Sequence, residues 1–229
     1  MNMPAHVSND ASNAAHALRQ SWRDVIADKP MRNRDAAEFL GVTELELIAS
    51  LVGGEATRLA PQWVEILQRV QHLGRVMALT RNDAAVHERR GVYQNISAAG
   101  HMGLALGDDI DLRLFFAQWA HGYAVEEAGA DGVAKRSLQF FDASGEAVHK
   151  IFLQHESDAG EFEMLTEQFR ADMQTPGQTV TPRVPVKAEA DDSTINVAAF
   201  RAAWADLKDT HEFFGLLKQH GVTDRKSVV

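Results

Sequence analysis

Apolar positions at intervals of three and four mark the first predicted helix. Leu18, Trp22 and Val25 share one face from Ala15 to about Val25. Residues 1–14 before it are small and polar, without periodicity, and read as disordered. Asp28-Lys29-Pro30 breaks the first helix. A short second helix is expected over Asn33–Leu40, with Gly41 just past its end. Thr43 followed by Glu46 has the spacing of a capping box, so a third helix should start near Glu44 and stop at Gly53-Gly54. Pro61–His72 should form another, with Trp63, Ile66, Leu67 and Val70 on one face.

The period then changes from 3.6 to 2. Gly74–Arg81 alternates as a strand, and Asn82-Asp83 is a turn signal. Further strands are expected at Ala84–Arg90, Val92–Ser97, His101–Leu106, Ile110–Phe116, Tyr123–Glu127, Val133–Phe141 and Ala147–Leu153. Turn-forming Gly, Asp and Ser residues separate several of them. Short strands joined this way make an antiparallel meander, and no helical crossover interrupts them to build a parallel sheet. The pattern predicts an α+β fold, an antiparallel sheet flanked by N-terminal and C-terminal helices.

A helix is expected over Ala159–Met173, closing a first unit at 15–174. Residues 175–194 are rich in proline and charge and read as a linker. Val197, Phe200, Trp204, Leu207, His211 and Phe214 then follow at intervals of 3, 4, 3, 4 and 3, one amphipathic helix within 195–223. The two ends of the chain also match each other. Trp22-Arg23-Asp24-Val25 precedes Gly41-Val42-Thr43-Glu44, and Trp204-Ala205-Asp206-Leu207 precedes Gly221-Val222-Thr223-Asp224. The Trp-to-Gly separations are 19 and 17 residues. This predicts a duplicated module, one full repeat followed by the opening helix of a truncated second. Residues 224–229 read as an artefactual tail, because GATCGGAAGAGCGTCGTG, a common sequencing-adapter string, translates to those six residues.

Composition narrows the chemistry. The 229 residues include no cysteine, which excludes disulfides, thiolate metal sites and cysteine nucleophiles. A net charge of −9 argues against nucleic-acid binding, which needs clustered Lys and Arg. The start, MNMPAHVSNDASNAAHA, lacks the basic stretch and apolar core of a secretory signal, and no apolar run is long enough for a membrane span. A soluble cytoplasmic protein is expected. HExxH, Walker A, GxGxxG and GxSxG motifs are all absent.

The ten histidines and a few arginines in unusual seats remain. His211 occupies an apolar stripe where Leu or Phe would be ordinary. It is either an imidazole aimed at a metal or haem iron, or a core histidine bonded to a carbonyl. Arg113 shares a strand face with Asp111 and Phe115. It is either an anion-binding or iron-ligand-polarising group, or half of a surface pair with Asp111. His87 lies on a polar strand face with Ala85 and Arg89, where an exposed histidine is unremarkable. His149 shares a face with Ile151 and Leu153 and reads as structural, and Trp119, Phe140, Phe141 and Phe152 read as core.

Four strings, RNDAAVHERRGVY, DIDLRLFFAQW, RSLQFFDASGEAVHKIF and DTHEFFGLLKQHGV, resemble in order and spacing the bacterial cytoplasmic haemin-degrading and haemin-transport factors with a HemS/ChuX-like domain. The resemblance runs from about Trp22 to Thr223. It implies two similar halves, each a large curved antiparallel sheet with helices, and haem (iron protoporphyrin IX) as the cofactor or substrate. It implies His211 as the axial iron ligand, Arg113 as a catalytic and haem-contacting group on the distal side, and His87 as a secondary haem-binding residue. It further implies a role in bacterial iron acquisition. That role is oxygen-dependent haem degradation, or else that of a non-catalytic carrier delivering haem to a downstream oxygenase, or the chain is an inactive fragment of either. The implied partners are a haem importer or such an oxygenase.

Overall fold

The computed structural model describes residues 5–82, 84–129, 132–183, 192–208 and 212–222. The chain divides into two compact units, Met1–Arg183 and Val184–Val229.

In the first unit, helices α1 (Ala5–Asp28), α2 (Asn33–Leu40) and α3 (Glu44–Ser50) come first. Strand β1 (Ala56–Leu59), helix α4 (Trp63–Val70) and strands β2 (Val76–Arg81) and β3 (Val86–Gly91) follow. Then come β4 (Ser97–Ala99), β5 (Met102–Leu106), β6 (Asp111–Phe115), β7 (His121–Ala128), β8 (Ala134–Phe141), β9 (Ala147–Leu153) and α5 (Ala159–Gln168). All strand pairings are antiparallel. They form a six-stranded sheet in the order β1-β7-β8-β9-β2-β3 and a separate three-stranded sheet β4-β5-β6.

Strand alternation puts a core on each face of the large sheet. Tyr123, Val125 and Phe141 pack against α1–α3 through Trp22, Leu45 and Ile48. Leu138, Phe140, Ile151, Val76 and Ala78 face α4, α5 and the small sheet. The expected face of α4 is the buried one: Trp63, Ile66, Leu67 and Val70. Each such side chain contributes roughly 1.5–3 kcal/mol when withdrawn from water. The α3 capping box forms as its spacing predicts: Thr43 Oγ1 accepts from Glu46 N at 3.2 Å, and Thr43 N donates to Glu46 Oε2 at 2.8 Å.

Several expectations need correction. The segment 1–14, expected disordered, is helical from Ala5 onward. No Gly or Pro interrupts residues 5–17, and Ala11, Ala14, Ala15 and Ala17 propagate a helix without needing an apolar stripe. Strand β1 had no sequence signal, being four residues long. The strand expected over Val92–Ser97 is absent up to Ile96, where Asn95 adopts φ 48° and ends regular pairing. The strands are not one meander, since β9 pairs with both β8 and β2. The helix expected to reach Met173 stops at Gln168, and Arg170 instead bridges Leu59 at the free edge of β1.

The supposed linker begins fastened to the first unit. Gly177 N donates to Ala49 O at 2.9 Å and Thr181 N to Ala143 O at 2.7 Å. Residues 184–191 lie outside the described residues.

In the second unit, the single helix expected within 195–223 is two: α6 (Val197–Ala205) and α7 (Phe213–Gln219). Asp206 ends α6, and a short polar side chain of this kind competes with the helix backbone for its hydrogen bonds. The aromatic stripe closes on itself, with Trp204 and Phe213 ring centroids 4.9 Å apart. The duplicated motif has matching local geometry. Gly41 and Gly221 follow α2 and α7 with φ of 68° and 66°. Val42 N donates to Ala37 O, and Val222 N to Leu217 O, both at 3.0 Å. This is the left-handed helix stop that favours glycine. The adapter-like residues 224–229 lie outside the described residues.

Candidate functional site

Strand β6 carries Arg113, directly opposite Leu104 on β5. The same register sets Phe115 opposite Met102 and Asp111 opposite Leu106. Opposed residues share a face, so Arg113 stands among Met102, Leu104, Leu106 and Phe115. Those apolar side chains point away from the core: Phe115 is 58% exposed, Leu106 44% and Met102 41%. The inward set is Gly103, Ala105, Leu112 and Leu114, turned toward the core.

The reason is steric. A Cβ at position 103 would meet the Phe116 ring at 2.6 Å, so the inner face of β5 accepts only small residues and the large ones face out. The result is an exposed apolar platform with a guanidinium at its centre. The surface pair with Asp111 does not form, and Arg113 makes no hydrogen bond or ion pair among the described residues. Asp109 in the preceding turn instead receives Arg89 and Arg75, each at 3.6 Å.

His87 lies on β3, opposite Thr80, and is exposed. Its charge acts on His149, whose pKa falls from 6.5 to about 4, first through burial and then through His87. His149 is buried and partnered at both nitrogens, Nε2 with Tyr93 OH at 2.6 Å and Nδ1 with Thr80 Oγ1 at 2.9 Å. Its ring stacks on Trp119 at 5.9 Å, and Trp119 stacks on Phe140 at 4.3 Å. Burial also raises the Tyr93 phenol well above its ordinary value. A neutral, doubly bonded imidazole of this kind is structural. Trp119, Phe140 and Phe141 are core, as their positions predict, and Phe152 is half-buried.

His211 lies outside the described residues. Of the three expected site residues, Arg113 and His87 lie within the described residues. Sequence reasoning missed the platform of Met102, Leu104 and Leu106. Its signal was present in Met102-Gly103-Leu104-Ala105-Leu106, where large and small apolar residues alternate on a strand with no polar side. Among the described residues no three His, Asp or Glu side chains are grouped to hold a metal ion, and no helix is long and apolar enough to cross a membrane.

Residues 41–169 match the haemin-degrading HemS.ChuX domain family. The chain belongs to this family. The hemin transport protein HmuS of Yersinia pestis is 36% identical over 215 residues, which cover 92% of this chain and 61% of that protein. The crystal structure of holo-PhuS, a heme-binding protein from Pseudomonas aeruginosa, is 44% identical with a TM-score of 0.85. That match covers 93% of this chain and 62% of PhuS. ChuS, described as an E. coli heme oxygenase, is 30% identical with a TM-score of 0.70, over 92% of this chain and 60% of its own. The chain thus spans about three fifths of the length of these relatives.

Proposed function

We propose that this chain binds haem and serves haem handling in bacterial iron acquisition, in the cytoplasm. The observation that carries this reading is the outward apolar face of β5 and β6 with Arg113 unpartnered among Met102, Leu104, Leu106 and Phe115. A planar macrocycle needs an apolar surface of this kind. A polar donor on that surface would stabilise bound haem and tune its chemistry. The HemS.ChuX family match and the hemin-transport, heme-binding and heme-oxygenase descriptions of the relatives support the same ligand.

In this reading haem would supply the iron chemistry, an imidazole nitrogen would hold the iron and a polar side chain would contact the macrocycle. His211 is the imidazole donor, Arg113 the polar donor, and His87 a secondary contact. Arg113 suits its role because a guanidinium stays charged and needs no deprotonation to donate. His149 is unsuited to iron, with both nitrogens engaged.

Haem titration tests the proposal. His211→Ala should change the ferric Soret band strongly and Arg113→Ala more mildly. An unchanged spectrum in both variants overturns the assignment. The relatives divide between transport and oxygenase descriptions, so the activity itself needs a separate assay. Loss of the Soret band under reductant and oxygen, with catalase present and a linear tetrapyrrole released, supports ring opening. A stable band supports a carrier that hands haem to a downstream oxygenase.

A further inference from the structure

A cleft of about 440 Å³ lies in the first unit where three segments meet, and it shares no lining residue with the platform around Arg113. One wall is the α2–α3 junction at Val42 and Thr43, one the end of β2 at Arg81, and one the β8–β9 turn at Gly145 and Glu146. Gly145 is what lets the turn come so close. Its φ of 90° is one that other residues avoid, and a Cβ there would meet Thr43 Oγ1 at 2.5 Å. Leu45 N then donates to Gly145 O at 3.3 Å and ties the turn to α3. The volume lies within the few hundred to roughly 1,000 Å³ of small-molecule sites.

Six charged side chains line the cleft, and four of them are already engaged. Glu44 holds Lys150 where both side chains are about nine-tenths buried. Glu146 holds Arg183 at 3.0 Å. Arg34 is not free either. Arg81 and Glu38 remain. Arg81 is half-buried, its Nε is buried without a partner, and its outer nitrogens make no hydrogen bond or ion pair among the described residues. Glu38 is exposed, and its carboxylate is likewise unpaired among the described residues. The two do not pair with each other. The cleft therefore presents one open cation and one open anion, held apart. A simple anion drawn to Arg81 is repelled by Glu38, and a simple cation drawn to Glu38 is repelled by Arg81. A molecule carrying both charges satisfies both groups. The remaining wall is apolar, through Ala37, Val42 and Ala147.

We propose that this cleft binds a free amino acid with an apolar side chain, in its zwitterionic form. Its carboxylate meets the Arg81 guanidinium, its ammonium meets the Glu38 carboxylate, and its side chain lies against Val42 and Ala147. The site is independent of the haem reading and stands or falls separately from it.

The probe is L-leucine, titrated into the full chain. Two controls each lack one charge: 4-methylpentanoate has no ammonium, and 3-methylbutylamine has no carboxylate. Binding is followed by NMR through the Arg81 Nε–H, identified by its loss in Arg81→Gln, and the Val42 methyl groups. Both signals should shift and saturate with leucine. Each control should bind about tenfold or more weaker, the loss of one charge-assisted bond. Glu38→Gln should weaken leucine by about the same factor and leave 4-methylpentanoate no weaker than in the parent. Arg81→Gln should weaken leucine and leave 3-methylbutylamine no weaker. A merely structural role for either residue would weaken leucine and its single-charge control together. Glu38→Gln should also keep the parent's urea midpoint and haem titration, since it is exposed and remote in sequence from Arg113. No saturable shift with leucine, equal affinity for leucine and either control, or shifts confined to residues outside the cleft overturns the proposal. If Arg81→Gln fails to fold, Glu38→Gln decides, and an unchanged leucine affinity in that variant also overturns it.

Discussion

Lowering the pH should destabilise the first unit through His149. The imidazole is buried on Trp119, with Tyr93 and Thr80 on its two nitrogens, and its pKa falls from 6.5 to about 4. A group depressed in the folded state favours folding while it is neutral. The stability is therefore present above the unfolded value of 6.5 and is lost as the pH falls toward about 4. Linkage gives a loss of about 2 kcal/mol between about pH 7 and about pH 5, rising to about 3 kcal/mol near pH 4. Against a domain stability of roughly 5–15 kcal/mol that is a large fraction. Urea unfolding at the two pH values, for the parent and for His149→Phe, isolates the contribution, because all other titrating groups are common to both. The variant should start about 1–3 kcal/mol less stable near neutral pH, since Tyr93 loses its partner inside the core. Its stability should then fall with acid by about 2 kcal/mol less than the parent's. If the parent and His149→Phe lose stability equally on acidification, the assignment of a buried neutral imidazole is wrong.

Gly103→Ala should destabilise the small sheet by about 1–3 kcal/mol, because the new methyl meets Phe116; a matching fall in unfolding free energy, rescued by Phe116→Leu, checks it. Lys150 pairs with Glu44 where both side chains are about nine-tenths buried, so Lys150→Met should cost about 3–5 kcal/mol and adding Glu44→Leu should recover most of it, read by a double-mutant cycle. Arg113→Ala should change unfolding free energy by less than about 0.5 kcal/mol, since the side chain is exposed and unpaired, while altering the haem spectrum.

Much of the fold was legible locally. The 3.6-residue periodicity of Trp63, Ile66, Leu67 and Val70 found α4. The Thr43–Glu46 spacing located the start of α3, and Gly41 the end of α2. These signals act over one or two helical turns, so neighbouring residues suffice to read them. Strand identities in β2, β3 and β5–β9 were legible for the same reason, with a period of two and turn residues between. Strand β1 was not. It exists because β7 and the Leu59–Arg170 bridge receive it, and four residues carry too little pattern to show that alone.

The site divides the same way. The sequence by itself determined that Arg113 sits on a strand with Asp111 and Phe115, and that His87 lies on a polar strand face. It determined the left-handed stops at Gly41 and Gly221 too, because a positive φ is a local demand. Only the tertiary structure decided that Met102, Leu104 and Leu106 face outward beside Arg113, since Phe116, thirteen residues after Gly103, fills the space a side chain there would need. Only the tertiary structure decided that His149 is neutral, because Tyr93, Thr80 and Trp119 arrive from distant parts of the chain to bury and bond it. Alternation tells which residues share a face. Which face turns toward solvent depends on volume contributed by residues that alternation does not see.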